Sequence, residues 1–332
     1  MTERAVALVV LAAGQGSRMQ SDLPKVLHRL GGTALLAHAL AAGRSLDPAL
    51  VVVVAGHGAQ AVTGAVAKLD PEAQVALQSE QLGTGHAVAQ ALPLLDGFDG
   101  RVVVLYGDTP FIAPETLAAL AAHPADVVVL GFNAADPGRY GRLVADGDTL
   151  ERIVEYKDAD EATRAITLCN SGVMAADAGL LRDLVGRLSN NNAAGEYYLT
   201  DVVALARAEG RSAAVVTCDE AETLGINTRA ELAAAEAAFQ SRKRAEALGN
   251  GVTMADPATV WFALDTHVGR DAIIGQNVVF GPGVTVESGA EILPFCHLEG
   301  CHVSAGATVG PFARLRPGAE LGGDAHVGNF VE

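Results

Sequence analysis

A six-residue period near the carboxyl end restricts the possible folds of this chain more than any other feature. An aliphatic or aromatic residue recurs every six positions, with a single five-residue step from Leu298 to Val303. The series is Val268, Ile274, Phe280, Val286, Ile292, Leu298, Val303, Val309, Leu315, Leu321 and Val327. Mostly small residues stand four positions after members of this series: Ala272, Val278, Val284, Ala290, Cys296, Ala307, Ala313, Ala319, Ala325 and Val331. Because one short strand cannot bury its own face, this period predicts stacked coils of a β-helix.

The first two-thirds of the chain show a different alternation. Runs rich in β-branched residues, at 5–11, 50–55, 75–78, 102–106 and 127–132, are separated by Ala- and Leu-rich stretches. This alternation predicts βαβ units, and therefore an α/β domain with a mostly parallel sheet. Ligands of such sheets bind at the carboxyl ends of the strands, so the residues after each run are candidates for function.

A helical segment separates the two regions. Residues 228–250 are rich in Ala, Glu, Arg and Lys, with Leu232, Ala235, Phe239 and Leu248 at helical spacing and glycines at the end. We therefore predict a first domain at 1–228, a helical arm at 229–250 and a β-helix at 251–332. The chain stops at Glu332 without a polar cap, so we expect a shortened chain or an end that a partner covers.

Composition excludes several classes of partner. The formal charge of −16 disfavours general binding to nucleic acid or to an anionic membrane. No apolar run reaches the roughly 18 residues that a transmembrane helix needs. The cysteines, Cys169, Cys218, Cys296 and Cys301, form no CxxC pair, which favours a reduced, cytoplasmic protein. A bound phosphate would therefore need local Lys or Arg, backbone N–H groups or a divalent metal.

A glycine loop follows the first predicted strand. Residues 11–19 are LAAGQGSRM, and LPK follows at 23–25. Gly14 and Gly16 allow an anion to approach the backbone, while Arg18 and Lys25 supply positive charge for a triphosphate. A dinucleotide fingerprint would instead have a third glycine where Met19 stands. The motif therefore favours a nucleoside triphosphate over NAD.

Longer motifs resemble a known family. LAAGQGSRM with LPK is similar to nucleotidyltransferases that join a nucleoside monophosphate to a sugar phosphate. QSEQLGTGHA at 78–87, YGD at 106–108, YGR at 140–142, NSG at 170–172, GEYYLTD at 195–201 and GIN at 225–227 resemble the bifunctional N-acetylglucosamine-1-phosphate uridyltransferase and glucosamine-1-phosphate acetyltransferase family. PFARLRPGAEL and HVGNFVE extend this resemblance through the hexad region. It implies a Rossmann-like nucleotidyltransferase domain, then a helical arm and a left-handed parallel β-helix of hexapeptide repeats.

The resemblance also implies an activity and a set of site residues. The family transfers UMP from UTP to N-acetylglucosamine 1-phosphate with Mg²⁺, which supplies UDP-N-acetylglucosamine for peptidoglycan and lipopolysaccharide. The implied catalytic residues are Arg18, Lys25 and Asp108, and the implied metal ligands are Asp108 and Asn227. The implied nucleotide-binding residues are Ala12, Ala13, Gly14, Lys25, Gln78, Gly83, Thr84, Tyr106, Gly107 and Asp108. The implied sugar-binding residues are Gly141, Glu155, Asn170 and Asn227.

The chemistry of these residues agrees with the implied roles. Asp108 follows the apolar run VVVLYG, so its carboxylate is expected at the carboxyl end of the sheet, where Mg²⁺ takes oxygen ligands. The amide of Gln78 offers a donor and acceptors to the N3–H and carbonyl edge of uracil. Taken alone, Glu155 would be an exposed charge, and His86 is expected to be packed without a chemical role.

A second activity belongs to the resembled family, and other functions remain open. That activity is acetyl transfer from acetyl-CoA to glucosamine 1-phosphate, where subunits of a trimer meet. Arg316 matches a position that binds the sugar phosphate there, whereas the other required residues would follow Glu332. We therefore expect a homotrimer formed through the β-helix, and no acetylation by this chain. The alternatives are a non-catalytic regulatory subunit of the same fold, or an enzyme for another sugar or base, such as glucose 1-phosphate or dTTP.

Overall fold

The computed structural model describes residues 4–331. This part of the chain forms two compact units. The first contains residues 4–28 and 35–227, and the second contains residues 29–34 and 228–331. Within residues 4–331, no helix combines the length and the apolar character needed to cross a membrane.

The strands of the first part of the chain follow the predicted runs. In chain order they are β1 (Val6–Ala12), β2 (Arg29–Leu30), β3 (Thr33–Ala34), β4 (Leu50–Ala55), β5 (Gln74–Leu77), β6 (Arg101–Tyr106), β7 (Val127–Asn133), β8 (Arg142–Asp146), β9 (Thr149–Val154), β10 (Leu168–Asp177) and β11 (Ala213–Cys218). The helices are α1 (Leu35–Arg44), α2 (Ala59–Leu69), α3 (Thr84–Ala91), α4 (Pro114–Ala122), α5 (Glu161–Arg164), α6 (Ala178–Gly186), α7 (Asp201–Ala208) and α8 (Arg229–Gly249). Each strand predicted from the β-branched runs is confirmed to within one residue at either end.

The first unit is built on one large sheet. Its strand order is β5-β4-β1-β6-β10-β7-β11-β9-β8. The pairs β5–β4, β4–β1, β1–β6 and β7–β11 are parallel, whereas β10 runs antiparallel between β6 and β7. The predicted α/β class with a mostly parallel sheet is therefore confirmed, with β10 and the β8–β9 hairpin as antiparallel additions.

Helices cover both faces of this sheet, and that explains the continuous apolar runs of the central strands. Along β1, Val9 packs toward one face and Val10 toward the other, and both are fully buried. The first face is covered by Val88 of α3, Leu181 of α6 and Val202 of α7, and the second by Leu36 of α1, Val62 of α2 and Leu117 of α4. Because a strand covered on both sides has no solvent face, its sequence does not alternate between apolar and polar residues.

Helix α8 begins the second unit after the hairpin β2–β3. Thr228 is its N-cap: the Thr228 hydroxyl accepts from the Glu231 N–H at 3.1 Å, and the Glu231 carboxylate accepts from the Thr228 N–H. This capping box satisfies two backbone groups that a helix start leaves without partners. Ala235 and Phe239 are buried as their spacing predicts, whereas Leu248 is 46% exposed. The helix is present where a helical arm was predicted, and its action as an arm stays a prediction.

The hexad region forms two-residue strands. They are β12 (Thr253–Met254), β13 (His267–Val268), β14 (Ile273–Ile274), β15 (Val279–Phe280), β16 (Thr285–Val286), β17 (Glu291–Ile292), β18 (His297–Leu298), β19 (His302–Val303), β20 (Thr308–Val309), β21 (Arg314–Leu315), β22 (Glu320–Leu321) and β23 (His326–Val327). They pair in parallel in the orders β12-β14-β17-β20-β23, β13-β16-β19-β22 and β15-β18-β21. This arrangement fits a β-helix, and every residue of the predicted hexad series is the second residue of a strand. The left-handed sense of the helix stays a prediction.

The five-residue step shortens one coil without disturbing the stack. Thr285 pairs with His302 across this step, whereas His302 pairs with Glu320 at the usual separation. Cys301 occupies the small inward position of the short coil, a place that the regular count of four residues misses. The prediction that Val331 fills such a position is wrong, since its side chain is 43% exposed and no described coil stacks on it. Cys169, Cys218, Cys296 and Cys301 are free thiols.

Candidate active site

Lys25 joins the two predicted metal ligands. Its Nζ atom donates to a carboxylate oxygen of Asp108 and, at 3.0 Å, to Oδ1 of Asn227. The Lys25 and Asp108 side chains are only 14% and 15% exposed, so water screens their attraction weakly. Residues far apart in the sequence therefore converge on one positive charge at the carboxyl end of β6.

Backbone hydrogen bonds hold this cluster in place. The Gly107 N–H donates to the carbonyl of Leu11 at 2.9 Å, which joins the residue before Asp108 to the end of β1. The Ile226 N–H donates to the carbonyl of Asp108 at 3.0 Å, which places Asn227 beside it. The cluster thus lies at the edge of the sheet where parallel strands end.

The glycine loop 13–19 lies against Lys25. Gly16 has φ of +62°, and a Cβ there would lie 2.6 Å from Cβ of Lys25, so only glycine permits this approach. Gly14 is exposed and faces open space, which leaves room for an anion beside its backbone. Ala12 and Ala13 are buried at the end of β1. The loop therefore combines an open backbone with a lysine held at its base.

Arg18 is not brought to this cluster. Its side chain is exposed, and within residues 4–331 it makes no hydrogen bond or ion pair. A long arginine side chain can still reach a bound triphosphate, so its predicted catalytic role stays a prediction.

Gln78 follows β5 and is buried, with 3% of its surface exposed. Its Nε2 atom lies 3.1 Å from the Gly83 carbonyl oxygen and 3.1 Å from Nδ1 of His86. On the far side of the His86 ring, Nε2 of Gln90 lies 3.2 Å from Nε2 of His86. The predicted nucleotide-binding residue Gln78 is therefore part of a chain of polar contacts that continues through His86 to Gln90 along α3.

The turn before α3 packs against the segment 197–199. Gly83 has φ of +108°, and a Cβ there would lie 2.6 Å from the carbonyl oxygen of Tyr197. The Gly85 N–H donates to that same carbonyl at 2.8 Å, and the Thr84 hydroxyl accepts from the Leu199 N–H at 3.1 Å. The Thr84 side chain therefore anchors this segment, while the N-cap of α3 is Gly83.

Gly141, Glu155 and Asn170 come together on the antiparallel side of the sheet. The Asn170 N–H donates to the Gly141 carbonyl at 2.8 Å, and both carboxylate oxygens of Glu155 lie 3.5 Å from where a Cβ of Gly141 would stand. The Thr200 hydroxyl donates to Glu155 at 3.1 Å. Three of the four predicted sugar-binding residues thus form one group, whereas Asn227 belongs to the Lys25 cluster.

The expectation that Glu155 is simply an exposed charge is wrong. Glu155 is half-buried, and this burial raises the pKa of its carboxyl group above the ordinary value. The Thr200 hydrogen bond opposes the rise, while the negative charges of Asp201 and Asp158 add to it. Burial likewise raises the pKa of Tyr106, which stays a neutral phenol. A carboxyl group whose pKa is shifted by burial is typical of functional sites.

The donor set at Asp108 and Asn227 suits a hard divalent cation. Both side chains present an oxygen to the same ammonium group, so they already face a positive charge. Among residues 4–331, no group of three or more His, Cys, Asp or Glu side chains could hold a metal ion. A metal would therefore take its remaining ligands from phosphate oxygens and water, as Mg²⁺ does in nucleotide sites.

Two buried contacts were missed by the sequence reasoning. The guanidinium of Arg142 is 2% exposed and donates to the backbone carbonyls of Pro137, Gly138, Tyr140 and Arg164, which holds the loop before Gly141. His86 contacts Gln78 although it was expected only to pack. The YGR and TGHA motifs contain these residues, but their spacing does not indicate their partners.

Arg316 lies in the second unit, directly after β21. Its side chain is exposed on the β-helix. Its implied acetyltransferase role therefore concerns that unit alone and stays a prediction.

Comparisons with known proteins agree with this geometry. A model of the MobA-like NTP transferase domain matches residues 8–252. The bifunctional protein GlmU of Paracoccus denitrificans is 80% identical over 332 residues, which are 100% of this chain and 74% of that protein. The bifunctional protein GlmU of Dinoroseobacter shibae is 70% identical over 330 residues, which are 98% of this chain and 73% of that protein.

A solved structure shares the fold. The inositol-1-phosphate CTP transferase from T. maritima matches with a TM-score of 0.56 and 18% identity, over 68% of this chain and 90% of that chain. This likeness agrees with the α/β architecture of the first unit. Given the domain match and the identity with the two relatives, the chain belongs to the GlmU family and is a nucleotidyltransferase.

Proposed function

We propose that the first unit transfers UMP from UTP to N-acetylglucosamine 1-phosphate and releases pyrophosphate. The observation that carries this proposal is the convergence of Lys25, Asp108 and Asn227 beside the glycine loop. A buried ammonium group, two oxygen ligands for a cation and an open glycine backbone are what a triphosphate requires. The product, UDP-N-acetylglucosamine, would supply peptidoglycan and lipopolysaccharide synthesis in the cytoplasm.

The reaction needs no nucleophile from the protein. A phosphate oxygen of the sugar phosphate attacks the α-phosphorus of UTP, and the bond from that phosphorus to the bridging oxygen breaks, so that pyrophosphate leaves with its electrons. Positioning and neutralisation of charge provide most of the rate in such transfers. Lys25 would donate to phosphate oxygens, and Arg18 would close on the triphosphate from the exposed side of the loop.

Asp108 and Asn227 would hold Mg²⁺, which when bound neutralises phosphate charge. The residues of this chain then divide the remaining work. Gln78 and the turn at Gly83 would contact the base, while Tyr106 and Gly107 would contact the nucleotide beside Asp108. Glu155 would accept hydrogen bonds from sugar hydroxyls, and Asn170 can both donate and accept.

A non-catalytic regulatory role is the second candidate. A regulatory role does not require a part-buried ammonium group beside a carboxylate and an amide oxygen, whereas phosphoryl transfer does. The pair formed by Lys25 and Asp108, with Asn227 beside it, therefore favours the enzyme.

The deciding experiment measures pyrophosphate release. The chain is incubated with UTP, Mg²⁺ and either N-acetylglucosamine 1-phosphate or glucose 1-phosphate, with EDTA as the metal-free control and dTTP as the alternative base. We expect fast release only with UTP, the acetamido sugar and the metal together. Release with glucose 1-phosphate at the same rate would move the proposal to another sugar, and no release with any sugar phosphate would favour the regulatory role.

The second unit carries its own proposal. We propose that its coils wind in the left-handed sense and assemble three chains into a homotrimer. The short parallel strands and the buried hexad residues support a stack of this kind. Acetyl transfer from acetyl-CoA to glucosamine 1-phosphate, with Arg316 at the sugar phosphate, would belong to this unit.

A further inference from the structure

The amide of Gln78 has only one possible orientation. Its Nε2 atom lies 3.1 Å from the Gly83 carbonyl oxygen. A backbone carbonyl can only accept, so the amide nitrogen, and never the amide oxygen, must face Gly83. The second hydrogen of that nitrogen points to Nδ1 of His86, also at 3.1 Å. Both donor hydrogens of Gln78 are therefore used inside the protein.

The acceptor of the same amide, Oε1 of Gln78, is available to a ligand. Within residues 4–331, Oε1 of Gln78 accepts no hydrogen bond, and it is not among the polar atoms that are sealed from solvent. A ligand at this position therefore meets an acceptor alone, although a glutamine could in principle offer either function.

An acceptor alone distinguishes between pyrimidines. Uracil and thymine carry a hydrogen on N3 and can donate it to Oε1. Cytosine has a lone pair on N3, so two acceptors would face each other and the Gln78 oxygen would lose its partner. A site built to receive a particular donor rejects an analogue that lacks it.

We propose that His86 is a positioning residue that sets base selectivity, because it holds the Gln78 amide with its oxygen toward the base. This inference rests on the proposed function, in which Gln78 faces the uracil of UTP. To accept from Gln78, the His86 ring has a bare Nδ1 and carries its hydrogen on Nε2. The amide nitrogen of Gln90 also donates to the backbone carbonyl of His86 at 3.2 Å, so the amide oxygen of Gln90 can meet the Nε2–H only if Gln90 gives up that bond.

Without His86, one of the two bonds that fix the amide is lost. Only the bond to the Gly83 carbonyl then opposes a half-turn of the Gln78 amide, and such a half-turn brings the nitrogen toward the base, where it can donate to N3 of cytosine. His86 therefore acts against CTP and leaves the choice between UTP and dTTP untouched, because uracil and thymine present the same N3–H.

The test compares base selectivity among variants of the full chain. The specificity constant kcat/KM is measured for UTP, CTP and dTTP with N-acetylglucosamine 1-phosphate. In His86→Leu, we expect the UTP to CTP ratio to fall about tenfold, the effect of one orienting hydrogen bond, while the UTP to dTTP ratio stays constant. In His86→Asn, the amide oxygen stands where Nδ1 stood, so the wild-type ratio should return.

Gln90→Leu is the matched control. Gln90 contacts the same ring from the other side, and within residues 4–331 no hydrogen bond joins it to Gln78, so its loss should leave the UTP to CTP ratio unchanged. An unchanged ratio in His86→Leu would overturn the inference, as would an equal fall in Gln90→Leu. A merely structural role for His86 would lower all three specificity constants together and leave their ratios constant.

A second measurement does not depend on any variant. Long-range ¹⁵N spectra of the wild-type protein report which nitrogen of the His86 ring carries the hydrogen. A bare Nδ1 supports the inference, and a protonated Nδ1 overturns it even if His86→Leu fails to fold. A wild-type chain that uses no UTP at all would instead refute the proposed function, and this inference with it. The two failures are therefore distinguishable.

Discussion

At the scale of single residues, the main feature of the first unit is that Lys25 occupies the position between two oxygen ligands. Its ammonium neutralises Asp108 and satisfies Asn227 at the same time. A divalent cation bound by the same oxygens would displace that ammonium and free it to meet phosphate. The two predicted metal ligands are therefore held together without leaving the part-buried carboxylate of Asp108 unpaired, which would be costly.

Removing the charge of Asp108 tests this arrangement. Asp108→Asn leaves the shape of the side chain but deprives both Lys25 and a metal of their anionic partner. We expect the turnover rate to fall by about 10²-fold or more, on the scale of other electrostatic contributions to catalysis. Asp146→Asn, at the exposed end of β8, is the matched control and should leave the rate unchanged. Unchanged turnover in Asp108→Asn would remove Asp108 from the site.

Glu155 provides a prediction about pH. Burial raises its pKa in the folded state, so folding favours the protonated form. The stabilisation of the folded state by Glu155 is therefore fully present below the ordinary glutamate pKa, about 4.3. It is lost as the pH rises through the raised pKa of Glu155 in the folded state. Glutamine cannot ionise, so Glu155→Gln does not lose stability as the pH rises, and its amide oxygen still accepts from the Thr200 hydroxyl.

We therefore expect Glu155→Gln to melt a few degrees higher than the wild type at neutral pH, and at the same temperature near pH 4. The same variant should raise the KM for the sugar phosphate while the KM for UTP stays constant. Glu161→Gln, exposed in α5, should change neither quantity. A lower melting temperature of Glu155→Gln at neutral pH would contradict the assigned direction of the pKa.

At the scale of elements, the coils of the second unit depend on alternate residues of very short strands. In β18, Leu298 points inward and is fully buried, while His297 in the same strand is exposed. Two neighbours in one strand therefore carry opposite roles, and this permits a test within a single element.

Leu298→Ala should destabilise the second unit by about 2–5 kcal/mol, because it leaves a cavity between stacked coils. His297→Ala should cost less than about 0.5 kcal/mol, as exposed substitutions usually do. Urea unfolding followed by circular dichroism measures both differences. Equal effects of the two substitutions would mean that the inward and outward positions are wrongly assigned.

At the scale of the whole molecule, the prediction concerns assembly. A β-helix has exposed coils, and the family resemblance implies that three chains associate through it. Analytical ultracentrifugation over a range of concentrations should give a particle with three times the 34.0 kDa mass of one chain. A single species with the mass of one chain at every concentration would refute the homotrimer and leave the proposed reaction of the first unit unaffected.

Features that depend on local geometry were determined by the sequence alone. The β-branched runs marked β1, β4, β5, β6 and β7 to within one residue, and the six-residue period marked the inward residue of each strand from β13 to β23. Both signals repeat along the chain. Successive side chains of a strand point to opposite faces of the sheet, and each coil of a β-helix brings the chain back to the same face after a fixed number of residues. Gln78 and Asp108 could be located in the same way, since each stands just after the end of a strand.

Contacts between distant segments were decided only by the tertiary structure. Lys25 meets Asp108 across 83 positions and Asn227 across 202, and Thr200 meets Glu155 across 45. Even His86 and Gln78, only 8 positions apart, meet because a turn reverses the chain between a strand and a helix. No period records such pairs, since their distance depends on the order of strands in the sheet and on how each loop leaves it. The sequence thus predicted which residues are candidates for the chemistry, whereas the fold decided which of them lie in contact.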